Sequence, residues 1–423
     1  MDDKILSNVH LSCKEAMELW SLGKDAWNRW VVKNPDASIS FEQADFSTIA
    51  NNEIDFKHFT FPSGELSFID AIFSDKIVNF SFSKINCKKI LLSRNDFRGQ
   101  LLFVSCIFDS TDIDLSYSKI SSGIAFFDSK LKNSNLNFRG SEFYSSNVFF
   151  WGIDLSTCFI EFRDAIIYKS NFDFQFSILR SITFDHSTLS ESDINFKAAH
   201  FKEHFEFSNL KIIKPLKRIS FRHARFDKGI DLSSDTPLGI IPDLIGSKID
   251  GHFTFKPNIL SLKRTRDKLF LKSINIEDGD KLCRLREISE SNKNHQLSLK
   301  LFQMEMQAKR WHTNNFGADL LDATYDLMCN YGQSIIKPLI CLLLVISMFV
   351  IYLTQGHPDN IQEAILLSLS KAIPFISGAK DAGDSVNHLF LDKNTSVFSI
   401  IYSIICFSLL FLVGLGIRNR FRL

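Results

Sequence analysis

Residues able to do chemistry are common in this chain, but few stand at spacings that would let them act together. His200 and His204 are four apart, the spacing that puts two imidazoles on one helical face. They flank Phe201 in a repeated segment, with no third ligand in view, so no metal site is expected. No glycine-rich phosphate loop, Gly-x-Ser-x-Gly turn, kinase set or dinucleotide glycine phrase occurs. The sequence therefore offers no catalytic set and no cofactor, and an enzyme is not expected. What remains lies near the carboxyl end, where Ser368, Ser370 and Lys371 interrupt an apolar stretch and Pro374, Phe375, Ser377 and Gly378 follow. Hydroxyls, one cation and irregular backbone in apolar surroundings are groups that line pores.

Those residues must be positioned by the elements around them. Residues 338–354 carry no charge, and a second uncharged run covers 397–417; each is long enough to cross hydrocarbon. Lys309, Arg310, Trp311 and Lys337 before the first run, and Arg418, Arg420 and Arg422 after the second, fit headgroup anchors. The loop between the runs carries fewer basic residues, mixed with Asp359, Glu363, Asp381, Asp384 and Asp392. By the positive-inside rule both termini are expected in the cytoplasm of a two-span protein. Within that loop an apolar helix over 359–374 is too short to span and stops at Pro374. Helix, short helix, extended segment, helix is the plan of a pore loop. No Thr-Val-Gly-Tyr-Gly follows the short helix, so a potassium filter is not supported. The other reading is an amphipathic helix lying on the outer leaflet.

Upstream, one phrase recurs from about Phe41 to Phe255: an apolar residue, two free positions, a small residue, one free position, an apolar residue. It reads Phe41, Ala44, Phe46, then Phe68, Ala71, Phe73, and continues through Phe103, Cys106, Phe108 and Phe138, Ser141, Phe143 to Phe221, Ala224, Phe226. Copies start roughly every twelve residues from Phe68 to Phe196, and one beginning at Phe150 falls out of pattern at Asp154. A step of five suits neither a helix nor a long strand. It suits a chain that turns every few residues, stacks on the coil below and points one large side chain inward per side. The alternative is a Phe-rich sandwich with turns every dozen residues. The repeat accounts for most of the 42 Phe.

The small residue two before a central Leu or Phe resembles the pentapeptide-repeat family, in its Phe-rich branch. That resemblance implies a right-handed, roughly four-sided β-helix over 37–258. The phrase Trp27, Asn28, Arg29, Trp30 before the repeats is similar to several members. Tyr331, Gly332, Gln333, Ser334 with Lys337 and Pro338, and the terminal Arg418 to Arg422, resemble membrane-anchored bacterial members. The resemblance implies architecture, in a bacterial inner membrane, more than activity. Gyrase-binding members, thought to mimic duplex DNA, resemble this coil, but the net charge here is only +1, so no nucleic-acid partner is expected.

The remaining segments frame the solenoid. Ser12 and Glu15 form a capping box opening a helix that Pro35 ends, with Trp20, Trp27 and Trp30 along it. Residues 1–36 are expected to cap the first coil, although a Trp face could instead hold a partner. No signal peptide is expected, because Met1, Asp2 and Asp3 are not followed by a basic and then an apolar region. Residues 259–334 read as a helical linker, with a helix from Asp280 to Trp311 broken near Ser291 to Asn294. The eight Cys form no CxxC pair, and Cys106 and Cys158 sit in the small slot, so free thiols in a reducing compartment are expected. Lys211, Lys214, Lys217, Arg218, Arg222 and Arg225 form one basic concentration, read as a solvated face or as a phosphate or headgroup patch. Two functions follow. One is an oligomeric membrane pore gated by the β-helix, with a membrane-disrupting effector of antiviral defence as a special case. The other is a membrane-anchored scaffold presenting the β-helix to a cytoplasmic protein. Lipid bilayer, further copies of the chain and an unidentified ligand of the β-helix are the expected partners.

Overall fold

The computed structural model describes residues 9–256, 260–267, 270–312, 315–356, 360–373, 377–390 and 393–421. The chain divides into two compact units, Met1–Lys263 with Asp280–Asn292, and Arg264–Gly279 with Lys293–Leu423.

The first unit is a β-solenoid of about nine turns of parallel strands. Between Gln100 and Asn147 the chain visits sheets of 8, 4, 14 and 6 strands in turn and then returns to the first. Gly123 pairs with Gln100 and Asn147 with Gly123, so a coil takes 23 or 24 residues, two of the twelve-residue periods. Most strands are of two or three residues, the length of one side between corners, and Asp154–Glu161 and Ile178–Thr183 run longer.

The interior explains the recurring phrase. Phe56, Phe80, Phe103, Phe126, Phe150, Phe174, Phe196 and Phe221 stack ring on ring at 4.8–5.3 Å, the spacing of paired strands. Each is fully buried, worth roughly 1.5–3 kcal/mol by area, with about 0.5–1.5 kcal/mol more per ring pair. The small residue three places on reaches across to the preceding coil. Ser83 donates to the Phe56 carbonyl at 2.6 Å, Cys106 to Phe80 at 2.9 Å, and Ser129 and Ser177 to Phe103 and Phe150. A second column does the same, with Ser118 donating to Leu92 at 2.9 Å and Ser141 to Leu115 at 2.7 Å. The position between, two after the stacked residue, adopts positive φ in coil after coil, at His58, Phe82, Ser105, Asp128, Gly152 and Phe176. Only one of these is glycine, so the turn is held by the coils around it.

The copy at Phe150, read as out of pattern at Asp154, keeps its spacing, with Ile153, buried, in the small slot. Ile153 is too large for a slot filled by Ser129 below and Ser177 above and has no hydroxyl for the Phe126 carbonyl. Here the strand at Lys130–Lys132 is the last of its sheet. Thr157 Oγ1 accepts from the Asn133 amide at 2.9 Å, and Cys158 Sγ lies 3.6 Å from the Leu131 carbonyl. Side chains thus replace backbone pairing around a cleft of about 480 Å3.

The amino-terminal segment forms two helices where the sequence suggested one, α1 (Cys13–Ser21) and α2 (Lys24–Lys33). Gly23, at φ +83°, takes a conformation no helix tolerates and serves as the N-cap of α2. Trp27, fully buried, lies 6.0 Å from Phe41 with rings nearly parallel and donates to the Thr60 carbonyl at 3.0 Å. Helix α2 thereby closes the first coil, and His10–Leu11 adds a parallel strand beside Ser38 and Ile39. Later, α3 (Asp278–Ser291) buries Leu282 and Leu285, and its Arg284 donates to the Ser247 carbonyl beside the last short strands.

The second unit opens with an antiparallel hairpin, Arg264–Asp267 with Phe270–Ser273. Helices α4 (His295–Lys309), α5 (Phe316–Cys329), α6 (Ile336–Gly356), α7 (Ile361–Ala372), α8 (Ser377–Asn387) and α9 (Lys393–Phe421) follow. The break near Ser291 to Asn294 is where it was expected, with Asn294 capping α4. Two helices, at 336–355 and 396–421, are long and apolar enough to cross a membrane, with mean hydropathy 2.5 and 2.6. They run antiparallel: Phe349 stacks on Tyr402 at 4.1 Å, Tyr352 meets Phe398 at 5.3 Å, and Gly332 accepts from Asn419 at 3.0 Å. After α7, where an extended segment was expected, α8 turns through Ser377 to Asn387. Its Gly383 lets it press on α7, since a Cβ there would lie 2.1 Å from Ser370 Oγ.

Candidate functional site

The residues with unused chemistry gather where α7, α8 and α9 meet. A cavity of about 400 Å3 is lined by Leu367 and Lys371 of α7, Asn387 at the end of α8, Phe390, and Ser396, Ser399, Ile400, Ser403 and Ile404 of α9. The three serines fall on one face of α9 because they are spaced three and four apart. Helical serines elsewhere in this unit bond back to their own helix: Ser347 to Leu343 at 2.8 Å, Ser368 to Ala364 at 2.7 Å, Ser408 to Ile404 at 2.9 Å. Ser399 and Ser403, both half-buried, make no hydrogen bond among the described residues. The half-buried Lys371 ammonium and the Asn387 amide likewise meet no partner among the described residues. Among the described residues, no carboxylate lines the cavity.

The helix register fixes the level of this cleft. Phe349 against Tyr402, and Ser334 against Gly416 at the other end, set Ile404 level with the middle of α6 and Ser396 near its far end. Helix α6 is roughly 31 Å long at 1.5 Å per residue. The cavity therefore occupies the half of the helix pair remote from Gly332 and Asn419. Tyr402 hydroxyl donates to the Ser368 carbonyl at 3.0 Å, which clamps α7 against α9.

The expected pore residues separate in this arrangement. Lys371 lies in the cavity. Ser368 and Ser370 are buried in packing contacts, with Ser370 bonded to the Leu367 carbonyl at 2.8 Å. Ser377 and Gly378 are exposed on the first turn of α8. Pro374 and Phe375 lie outside the described residues. Sequence reading missed Asn387, Ser396, Ser399 and Ser403; the serine spacing was legible, but nothing local said that this face of α9 would meet a lysine.

The anchor residues also separate. Lys337, Arg418 and Arg420 are exposed at the ends of the two long helices; Arg422 lies outside the described residues. Arg310, expected at the headgroups, is held inside the unit: its guanidinium bonds Asp322 at 2.6 Å, Asp326 at 3.0 Å and the Tyr331 hydroxyl at 2.6 Å. Three acceptors contributed by α5 and the turn after it outcompete a headgroup for a planar cation. Burial and the Asp322 carboxylate together push the Tyr331 hydroxyl well above its ordinary range. Lys309 bonds buried Glu305 at 2.7 Å, and the Trp311 amide bonds Asp319 at 3.0 Å.

No protein-family model matches the chain, and no curated protein matches it.

On the solenoid, His200 bonds Asp227 at 2.9 Å while His204 is exposed, so the two do not converge. The described residues hold no cluster of three His, Cys, Asp or Glu suited to a metal. The basic concentration is answered by acids on neighbouring coils: Arg218 by Asp193 at 2.8 Å, Arg222 by Asp243 at 2.7 Å, Lys214 by Glu191 at 3.5 Å. Phe82, Trp151 and Phe176 are each at least half exposed, at or beside the positive-φ corner of their coils, with Trp151 and Phe176 on neighbouring ones 6.0 Å apart.

Proposed function

We propose that this chain forms an oligomeric membrane pore, with α6 and α9 crossing the bilayer and the solenoid as its cytoplasmic regulatory domain. The observation that carries the reading is Lys371: a half-buried cation lining one cavity with the serines of α9, one of two long helices whose apolar surface is mostly exposed. An ionisable residue at such a level marks a function by default. Two spans cannot enclose a passage, so several copies are required. The exposed Lys337, Arg418 and Arg420 support both ends lying in the cytoplasm of a bacterial inner membrane. Exposed Phe316, Leu320, Leu321 and Leu327 make α5 a helix suited to the interface. The coil, with its small slot and four sheets visited in rotation, supports the right-handed, four-sided form of the pentapeptide-repeat family.

The test is the mass of the purified protein in nanodiscs, followed by conductance recordings. A ring of four or more copies that conducts is expected; a monomer would end the pore reading. A membrane-anchored scaffold is the second reading, favoured by the exposed aromatic corner at Phe82, Trp151 and Phe176. It predicts a cytoplasmic partner lost on Trp151→Ala with the helical unit unchanged.

A further inference from the structure

Building on the membrane placement above, we propose that the α7–α8–α9 cavity is a binding site for a small monovalent inorganic anion, of halide size, and so makes the passage anion-selective. Among the described residues, the lining holds one cation, Lys371, and donors without partners there, the Asn387 amide and the Ser399 and Ser403 hydroxyls. Among the described residues it holds no carboxylate. A charge partly withdrawn from water is stabilised by a counter-charge, and here the described lining supplies hydrogen-bond donors beside the cation and no anion. Hydroxyl and amide groups around an ammonium are what a partly dehydrated halide requires in place of its water shell.

Size agrees with that occupant. About 400 Å3 holds a halide with part of its hydration, on the order of a dozen waters at about 30 Å3 each. Ile400, Ile404, Leu367 and Phe390 form the rest of the wall, so the half-buried Lys371 is partly shielded from water by apolar side chains. The two hydroxyls matter separately from the charge. A serine in a helix normally returns its hydrogen bond to the backbone, as Ser347, Ser368 and Ser408 do, and a serine that does not is available to a ligand.

The experiment uses the full chain in phosphatidylcholine nanodiscs. The melting temperature is followed as sodium bromide replaces sodium gluconate at constant ionic strength. A saturable rise is expected, with half-saturation shifted at least tenfold in Lys371→Met and restored in Lys371→Arg. Ser403→Ala, which keeps the charge, is expected to weaken the rise less. No bromide-dependent rise in the native chain would overturn the proposal, as would a rise that Lys371→Met leaves intact. A rise that phosphatidylglycerol abolishes would assign the site to a lipid phosphate and overturn the inorganic-anion assignment. Reversal potentials in a KCl gradient supply the second readout: anion-selective current supports the proposal and cation-selective current overturns it. Bromide stabilisation in a protein that carries no current supports the anion site and defeats the pore reading, so the two claims fail separately.

Discussion

The small slot is where single residues decide the solenoid, and one of its occupants is out of keeping. Asn95, buried, donates to the Leu92 carbonyl at 2.9 Å, but its Oδ1 has no hydrogen-bond partner. Serines at equivalent places reach the carbonyl of the preceding coil. Asn95→Ser is therefore expected to stabilise the chain by about 1 kcal/mol, since it removes a buried orphan acceptor; thermal unfolding checks it. Burial in the solenoid, in that slot for Cys106 and Cys158 and beside it for Cys87, silences thiols. Burial pushes Cys106 up to about 12 and raises Cys87 and Cys158 as well, so none of the three is expected to react with a thiol reagent at neutral pH until the solenoid unfolds. On the surface, the hydrogen bond from His200, reinforced by Arg225, holds Asp227 down to about 2, from an ordinary 3.8. A depressed carboxylate contributes stability above its unfolded value that is lost as pH falls through its folded one. Asp227→Asn should then flatten the loss of stability between about pH 4 and pH 2 in an acid titration. The slot was legible in the sequence because Ala, Ser and Cys recur there. The positive-φ corner was not, because Phe, Asp, Ser and His occupy it with only an occasional glycine to mark it.

Among elements, those with an unbroken apolar pattern were legible and those defined by contacts with partners were not. Helices α6, α7 and α9 followed from long apolar runs, and α2 from its tryptophans. The break at Gly23 and the helical course of α8 were hidden, since Gly378 and Gly383 in a polar stretch look like loop until α7 is beside them. The turn at Tyr331 and Gly332 was noticed as a phrase, yet its purpose appears only when Asn419, far along the chain, is found bonded to it. Helix α8 offers a direct check of this dependence. Gly383→Val would drive a side chain into Ser370, an overpacking of about 1–3 kcal/mol. Ser370→Gly in the same chain should return part of that loss. Unfolding of the nanodisc-embedded protein, followed for both single variants and the double one, measures the coupling; simple additivity would mean that α7 and α8 do not touch there.

At the scale of the whole molecule, the question is what the exposed apolar helices meet. Only 22% of the most apolar stretch of each long helix is buried within the chain, and under the proposed membrane placement lipid or further copies cover the rest. A cleft holding Lys371 is poorly suited to face acyl chains, because a cation against hydrocarbon costs several kcal/mol. Facing the same cleft on neighbouring copies gives it polar company and water. Ile400 is exposed and lines the cleft, whereas Ile405 is exposed about 140° away round α9. In a background with Cys341 and Cys406 changed to Ser, Ile400→Cys is therefore expected to form disulfide-linked copies on mild oxidation in native membranes, and Ile405→Cys far fewer. Equal cross-linking at both positions would reflect collision and not assembly. No cross-linking at either would leave each copy alone, and the solenoid, with its exposed aromatic side chains, would then have to carry the function by holding a partner.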